Sequence, residues 1–477
     1  MYYFGGHFAG AKRINFIFFS FCAFIFSIII FSSFFGHDGQ RSAQVFIGGL
    51  AVFYFFFNGL GVYRLGLSFS SLVICGFIFF LGGGSVFLAR QFVWALTEFS
   101  LIILCFYIGW AFYRARTLGG GDLDSVFMVF LFFIVAVKSF QFFSLGVFSF
   151  FSDLKGMNTD FFIEGFSNKR FYGQFQTFTL PLLTVPLILN STKRSTKIWV
   201  FSLLCCWWLI AVTGGTRGTW LGMGVAACVL FICGHSGKRW IAWQLPAVAV
   251  GVALYWLLFC VLTSYLGIEV SNFASDRLTT SLSGRGPLWQ QAWDMIRERP
   301  WLGFGPMHFA DIHNPIAAHP HQAILQWASE WGIPSTLLVM WLVGRGLWAT
   351  FRLIRERSIS DDPTDLLRLC LFASLIGALT QSMVDGVIVM PYSQLWLSLV
   401  VGWLMALHVW KGEPAKPNAF IHWSWMGIST AAVLFLVYVV IRDVPHLDER
   451  NKLYQQQYGG HFQPRFWVQG VIAIKPE

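Results

Sequence analysis

The sequence predicts an all-α polytopic integral membrane protein that crosses the bilayer about twelve or thirteen times and carries a large external loop with amphipathic helices. Three observations carry this expectation. Of 477 residues, 56% are hydrophobic, 18% aromatic and only 12% charged, too few polar groups to coat a water-soluble globule. Apolar windows of about 20 residues, the length that crosses roughly 30 Å of hydrocarbon, recur from end to end. Basic residues return in alternate connections between those windows, as they do where cytoplasmic loops retain Lys and Arg.

Taken in order, the windows fall at 14–35, 44–62, 67–88, 91–113, 124–149, 174–190, 197–213, 218–234, 240–262, 322–344, 366–385, 389–410 and 420–441. The first follows Lys12 and Arg13, exceeds a signal-peptide core and lacks a small-residue cleavage site, so it reads as a retained anchor helix. With the N-terminus in the cytoplasm, Arg64, Arg114 and Arg116, Lys193, Arg194 and Lys197, Lys238 and Arg239, Arg352, Arg355 and Arg357, and Lys411 and Lys416 all fall on the same side. This topology accounts for much of the formal charge of +10 and removes the reason to invoke nucleic acid. The chain divides into membrane helices over 1–261, an external loop over 262–321, further membrane helices over 322–441 and an external tail over 442–477.

All nine cysteines lie in apolar windows, which argues against a disulfide framework or thiolate metal site. The glycine triplets Gly82–Gly84 and Gly119–Gly121 read as turns between helices, and neither a Walker loop nor a dinucleotide fingerprint is present. No internal repeat of the kind used by many transporters stands out. In the long loop, the stretch from Ser283 to Pro306 opens on a Gly-Arg-Gly turn. It continues as an amphipathic helix with Leu288, Trp289, Ala292, Trp293 and Ile296 on one face, ending before Pro300 and suited to lie along the membrane interface. The tail offers a short polar helix and then an aromatic stretch, PRFWVQG, with no readable role.

Positive-inside placement does not explain external arginines. Arg217 in GGTRGTW and Arg285 in SGRGP both sit in glycine turns at the mouths of apolar spans. A guanidinium presents a donor fork that matches phosphate oxygens, and flanking glycines admit a ligand close to the backbone. Snorkelling to headgroups or capping a helix end is the structural alternative. His319 and His321 stand where the loop enters the next span, and imidazole titrates near neutrality, so either can take a proton from an attacking hydroxyl or serve as an ordinary loop histidine. Glu330 lies nine residues beyond His321, on the opposite face of a straight helix, and a carboxylate inside an apolar span needs a partner. His308, Asp311, His313, His319 and His321 permit a metal site without demanding one, while Asp153 and Asp160 lie apart. No metal and no cofactor is expected.

Four pieces together resemble the O-antigen ligase and polymerase superfamily of bacterial envelope glycosyltransferases: GFSNKRFYGQFQTFTLPLL, GGTRGTWLG, SGRGPLWQQAWDMIRERPWLGFGPMHF and HPHQAILQWASEWGIPSTLL. The resemblance runs from Gly165 to Met390 and is sharpest from Gly214 to Ser335. It includes His321-Gln322 followed after nine residues by Gly332, with Ser335 where the family's last glycine is usual. It implies a multi-pass inner-membrane enzyme with a periplasmic active site that moves a glycan from undecaprenyl diphosphate to a hydroxyl acceptor without metal. On that implication His321 is the base, Arg217, Arg285 and more weakly Arg170 hold the diphosphate, and His319, Gln322 and Glu330 are possible supports. Lipid A-core is the favoured acceptor, ahead of a second lipid-linked repeat (polymerase) and a pilin serine (O-oligosaccharyltransferase). Reading from a different class, a flippase for lipid-linked oligosaccharide would also use many spans and buried arginines, and a bare membrane scaffold would leave these residues without a shared purpose.

Overall fold

The computed structural model describes residues 22–23, 25, 36–57, 66–152, 156–271, 284–409, 419–459 and 462–472. The expected anchor helix at 14–35, with Lys12 and Arg13, lies almost wholly outside the described residues, as do Arg64, Asp153, Lys411 and Lys416. Over its described residues, every later window is largely helical. The helices are α1 His37–Phe57, α2 Phe69–Phe87, α3 Phe92–Gly119, α4 Gly121–Phe151, α5 Lys169–Leu183, α6 Arg194–Thr213, α7 Arg217–Ile232, α8 His235–Trp256, α9 Arg285–Glu298, α10 Ala323–Glu356, α11 Pro363–Ser382, α12 Pro391–Leu407, α13 Ala419–Asp443 and α14 Leu447–Tyr458.

Among the described residues, eight helical stretches are long and apolar enough to cross a membrane, and α7 and α12 are shorter apolar helices among them. The chain is an all-α, multi-pass membrane protein. Among the described residues, the one sheet is a pair of parallel three-residue strands, β1 Gly156–Asn158 and β2 Glu269–Ser271, which sequence reading did not anticipate. Two other expectations need correction. Gly82–Gly84 are not a turn but the interior of α2, where Gly82 packs against Trp331, whereas Gly120, at φ +70°, does separate α3 from α4. The window at 174–190 breaks at Thr184 into α5 and a single turn, Val185–Ile188.

Helix α5 is the unusual member. From Phe171 to Leu183 every residue is buried, including Gln174, Gln176, Thr177 and Thr179, so it is enclosed by other helices and does not face lipid. Its polar side chains bond inward: Gln176 to the Trp207 carbonyl at 3.2 Å, Thr179 accepting from the Trp207 indole at 3.0 Å, and Thr177 to Gln381 at 2.6 Å. Helix α11 reaches this close to α7 because glycine faces glycine. A Cβ on Gly222 would stand 2.6 Å from the Gly377 carbonyl, inside contact distance.

The connections between helices gather at two ends, marked by the side chains that meet there. At one end lie Arg116, paired with Asp124 at 2.8 Å, Arg239, paired with Asp361 at 2.6 Å, and Arg357, 3.3 Å from Asp365. These are among the residues that alternate basic connections predicted for a single side. At the other end stand the turn before α7, residues 284–322, the α11–α12 turn and the described tail residues 462–472.

Helix α10 breaks where the family-like pattern has its glycine. Gly332, at φ +82° and ψ 163°, interrupts the helix, and a Cβ there would sit 2.1 Å from the Trp301 carbonyl oxygen. The Ile333 amide donates to the Pro300 carbonyl at 2.8 Å, so the break is how the loop after α9 enters the bundle. Ser335, replacing a second glycine, is fully buried and accepts from the Trp327 indole at 3.0 Å. Gly332→Ala meets both a clash and a forbidden dihedral, and its expected cost is at least about 1–3 kcal/mol. A thermal unfolding midpoint equal to wild type, measured in detergent by tryptophan fluorescence, would contradict this reading.

Candidate functional site

The site is assembled at three helix starts and one turn. Asn168 caps α5, accepting from the Arg170 amide at 2.8 Å, and so fixes Lys169 and Arg170 at the helix entrance. Thr213, Gly214 and Gly215 close α6, with Gly215 at φ +61°, and Arg217 opens α7. Gly284, in the left-handed conformation, precedes Arg285, the first residue of α9. Arg285 therefore stands at the head of the loop helix and not, as sequence reading expected, at the mouth of a membrane span. The face of that helix is also rotated from expectation: Leu288, Ala292, Met295 and Ile296 are buried, while Trp293 points outward and Trp289 is half-buried, its indole donating to the Pro320 carbonyl at 3.1 Å.

These elements converge. One pocket is lined by Lys169, Arg170, Arg217 and Arg285, by Gly214 to Gly218, and by Val384 and Asp385. All three arginines singled out from sequence thus meet in one pocket, together with a lysine that was not. Gathering like charges costs energy unless an anion joins them. Burial lowers the Arg285 guanidinium from its usual range, and Arg170 and Arg217 push the same way, against the opposing pull of Asp385. Lys169 is itself paired with Asp160 at 2.7 Å.

Asp385 is the residue that sequence reading missed. It lies in the turn between α11 and α12, nearly fully buried, with Gln381 donating to it at 3.3 Å and the Gly386 amide at 2.8 Å. Burial alone would raise its carboxyl, but His321, the Gly386 amide and Gln174 together hold it below the usual range, so it is a carboxylate at neutral pH. Its Oδ1 lies 3.8 Å from His321 Nδ1. His321 adopts a left-handed backbone conformation, φ +53°, one of only two non-glycine residues with positive φ among those described. Such strain persists only where the surroundings impose it, and here the His321 amide donates to His319 Nδ1 at 3.3 Å while the two imidazoles sit 4.1 Å apart. Gln322 caps α10, accepting from the Leu325 amide at 2.5 Å.

The remaining candidates stand elsewhere. Glu330 pairs with Arg465 of the tail at 2.7 Å. His308 accepts from the Gln91 amide at 2.9 Å, His313 stacks on Tyr458, and Asp311 accepts from Gln91 at 2.8 Å. Among the described residues, no three His, Cys, Asp or Glu side chains converge as a metal site would require.

His319 is fully enclosed, and burial first, with the nearby His321 and Arg465 adding to it, holds its imidazole well below the ordinary histidine range. It stays neutral in the folded protein and gains a proton only on unfolding, below about pH 6.5. The unfolded state then binds more protons, so stability falls as pH drops through that value. His308, lowered chiefly by burial, acts with the same sign. The expected result is an unfolding midpoint that drops between about pH 7 and 5, and drops less in His319→Gln. Equal slopes for the two proteins would remove His319 as a source.

Residues 200–340 match a family model described as O-antigen ligase. The match includes Arg217, Arg285, His319, His321, Gln322 and Glu330, and leaves Arg170 and Asp385 outside. No curated protein matches the chain.

Proposed function

We propose, from the premise that this chain is a glycosyltransferase of the O-antigen ligase and polymerase family, that it transfers a glycan from undecaprenyl diphosphate to a hydroxyl of lipid A-core. Transfer takes place at the periplasmic face of the bacterial inner membrane, inverts configuration and needs no metal. The observation that carries this reading is the meeting of Arg170, Arg217 and Arg285 in one pocket with Asp385, beside His321. Guanidinium forks neutralise a diphosphate and the charge that grows on it as it leaves. With a proton on Nδ1 toward Asp385, His321 keeps its Nε2 lone pair for an acceptor hydroxyl.

In the transfer step the acceptor oxygen forms a bond to the anomeric carbon as the bond from that carbon to the diphosphate oxygen breaks. The electron pair departs with undecaprenyl diphosphate, and the hydroxyl proton passes to His321, whose imidazolium the Asp385 carboxylate stabilises. Attack from the side opposite the leaving group inverts the configuration. The arginines supply the charge neutralisation that a divalent ion would otherwise provide, and the polyprenyl tail stays in the bilayer.

The test is to incubate the purified protein in nanodiscs with lipid-linked glycan and, separately, lipid A-core, a second lipid-linked repeat or pilin. Mass gained by lipid A-core alone supports ligation, whereas gain by either other acceptor makes the enzyme a polymerase or an O-oligosaccharyltransferase. Transbilayer movement of donor with no release of undecaprenyl diphosphate would make it a flippase. The same assay checks the metal expectation: turnover persists in chelator, and loss of turnover that a divalent ion restores would overturn it.

A further inference from the structure

The aromatic stretch after α14 is not a loose end. Arg465 is completely buried and lies between two buried carboxylates on different membrane helices, Glu330 of α10 at 2.7 Å and Glu98 of α3 at 3.4 Å. With its carboxamide oxygen turned toward the guanidinium, Gln326 of α10 accepts from it at 2.9 Å. The segment around Arg465 is pinned on its other side. Arg41 donates to the Phe466 carbonyl at 3.2 Å, Trp467 to Asp443 at 2.9 Å, and the Val468 amide to Asp38 at 2.7 Å.

The same strap touches the chain that leads to His321. Glu330 Oε1 accepts from the Phe309 amide at 3.1 Å, while its Oε2 meets Arg465. The Ile472 amide donates to the Ala310 carbonyl at 3.2 Å, and Gln463 donates to the Asn314 carbonyl at 2.8 Å. Gly470 lies so close to Ala318 that a Cβ on it would be 3.1 Å from the alanine methyl. Residues 309, 310, 314 and 318 therefore rest on the tail or on its ion-pair partner, and the left-handed His321 follows three residues later. A buried ion pair is weak evidence of net stabilisation, and an apolar core would hold the bundle at least as well. What the charged cluster supplies is a fixed geometry at the end of a loop.

We propose that Arg465 is a positioning residue for His321: through Glu330 it fixes the 304–320 segment, and with it the direction in which the imidazole meets the acceptor. This rests on the reading of His321 as the base. A shift of about 1 Å in a reacting group can cost on the order of 100-fold in rate, so a change that loosens the segment without unfolding it registers in the chemical step.

The test is a double-mutant cycle in lipid nanodiscs. Arg465→Lys keeps the charge but loses the fork that spans Glu330, Glu98 and Gln326. Glu330→Gln reaches the same contact from the other side, should either variant fold poorly by thermal unfolding. Expected for each is a single-turnover transfer rate on the order of 10-fold or more below wild type, with undecaprenyl diphosphate binding unchanged and no further loss when combined with His321→Ala. If these variants slow the His321→Ala protein by the same factor as wild type, or weaken undecaprenyl diphosphate binding in parallel, or leave the rate untouched, Arg465 does not act through His321. If His321→Ala alone transfers at the wild-type rate, the reading of the base falls instead, and the two failures are told apart.

Discussion

His321→Ala is expected to accumulate like wild type and to lose roughly 100-fold or more in glycan transfer, the usual contribution of a positioned general base. Accumulation survives because His321 lies at a polar turn beside Asp385, partly exposed, where its imidazole packs little of the apolar core. Its backbone is already left-handed, and alanine bears much the same conformational cost there. Donor binding should persist, since the arginines that line the pocket are untouched. Asp385→Asn should reproduce much of the loss, because an amide beside Nδ1 no longer stabilises the imidazolium. The loss in His319→Ala should be smaller: His319 holds the His321 amide but lies outside the family-like pattern. Single-turnover transfer and donor affinity, measured for all three variants, decide the matter. An active His321→Ala with a dead His319→Ala, or a His321→Ala that fails only by losing donor, would assign the base elsewhere.

How much of this was legible in the sequence depended on whether a residue's reason for being there was local. Helix placement was, because an apolar window of sufficient length has one stable outcome in lipid. The arginine candidates were too: Arg217 and Arg285 each stood out as external cations in glycine turns, although nothing local showed that Arg170 joins them in one pocket. Asp385 was hidden because its immediate neighbours in sequence are apolar and its partner His321 comes from another element. One signal was present, an acid at the end of an apolar window, of the same kind that marked Glu330 as needing a partner. That partner, Arg465, was unreadable because the pair is joined only by tertiary structure, 135 residues apart. The amphipathic pattern of α9 placed Trp293 on the apolar face with Leu288, Ala292 and Ile296, whereas Trp293 is exposed, since periodicity ranks residues by hydrophobicity and cannot tell an outward-facing tryptophan from a buried one.

Arg217→Ala is expected to abolish most transfer and, unlike His321→Ala, to weaken donor binding as well. Arg217 is the first residue of α7, directly after Gly214 to Thr216, and these same residues line the pocket with Arg170 and Arg285. Backbone amides at that helix start and a guanidinium fork both face an incoming anion. Arg217→Lys should keep the charge and the fold yet recover little activity, because an ammonium is a point donor and cannot span two phosphate oxygens. Removing a hydrogen bond to a charged group typically costs about 1.5–3 kcal/mol, or roughly 10- to 150-fold in affinity. The loss in transfer should exceed the loss in binding, since charge on the leaving diphosphate is greater in the transition state than in the bound donor. Loss of Arg285 should follow the same pattern, and with one guanidinium gone the total repulsion among the pocket's cations falls, so each single variant should fold. Undecaprenyl diphosphate titrated into each variant in nanodiscs, beside single-turnover rates, gives both quantities. Near-normal turnover of Arg217→Ala, or a fall in binding with no larger fall in transfer, would remove Arg217 from the stabilisation of the leaving group.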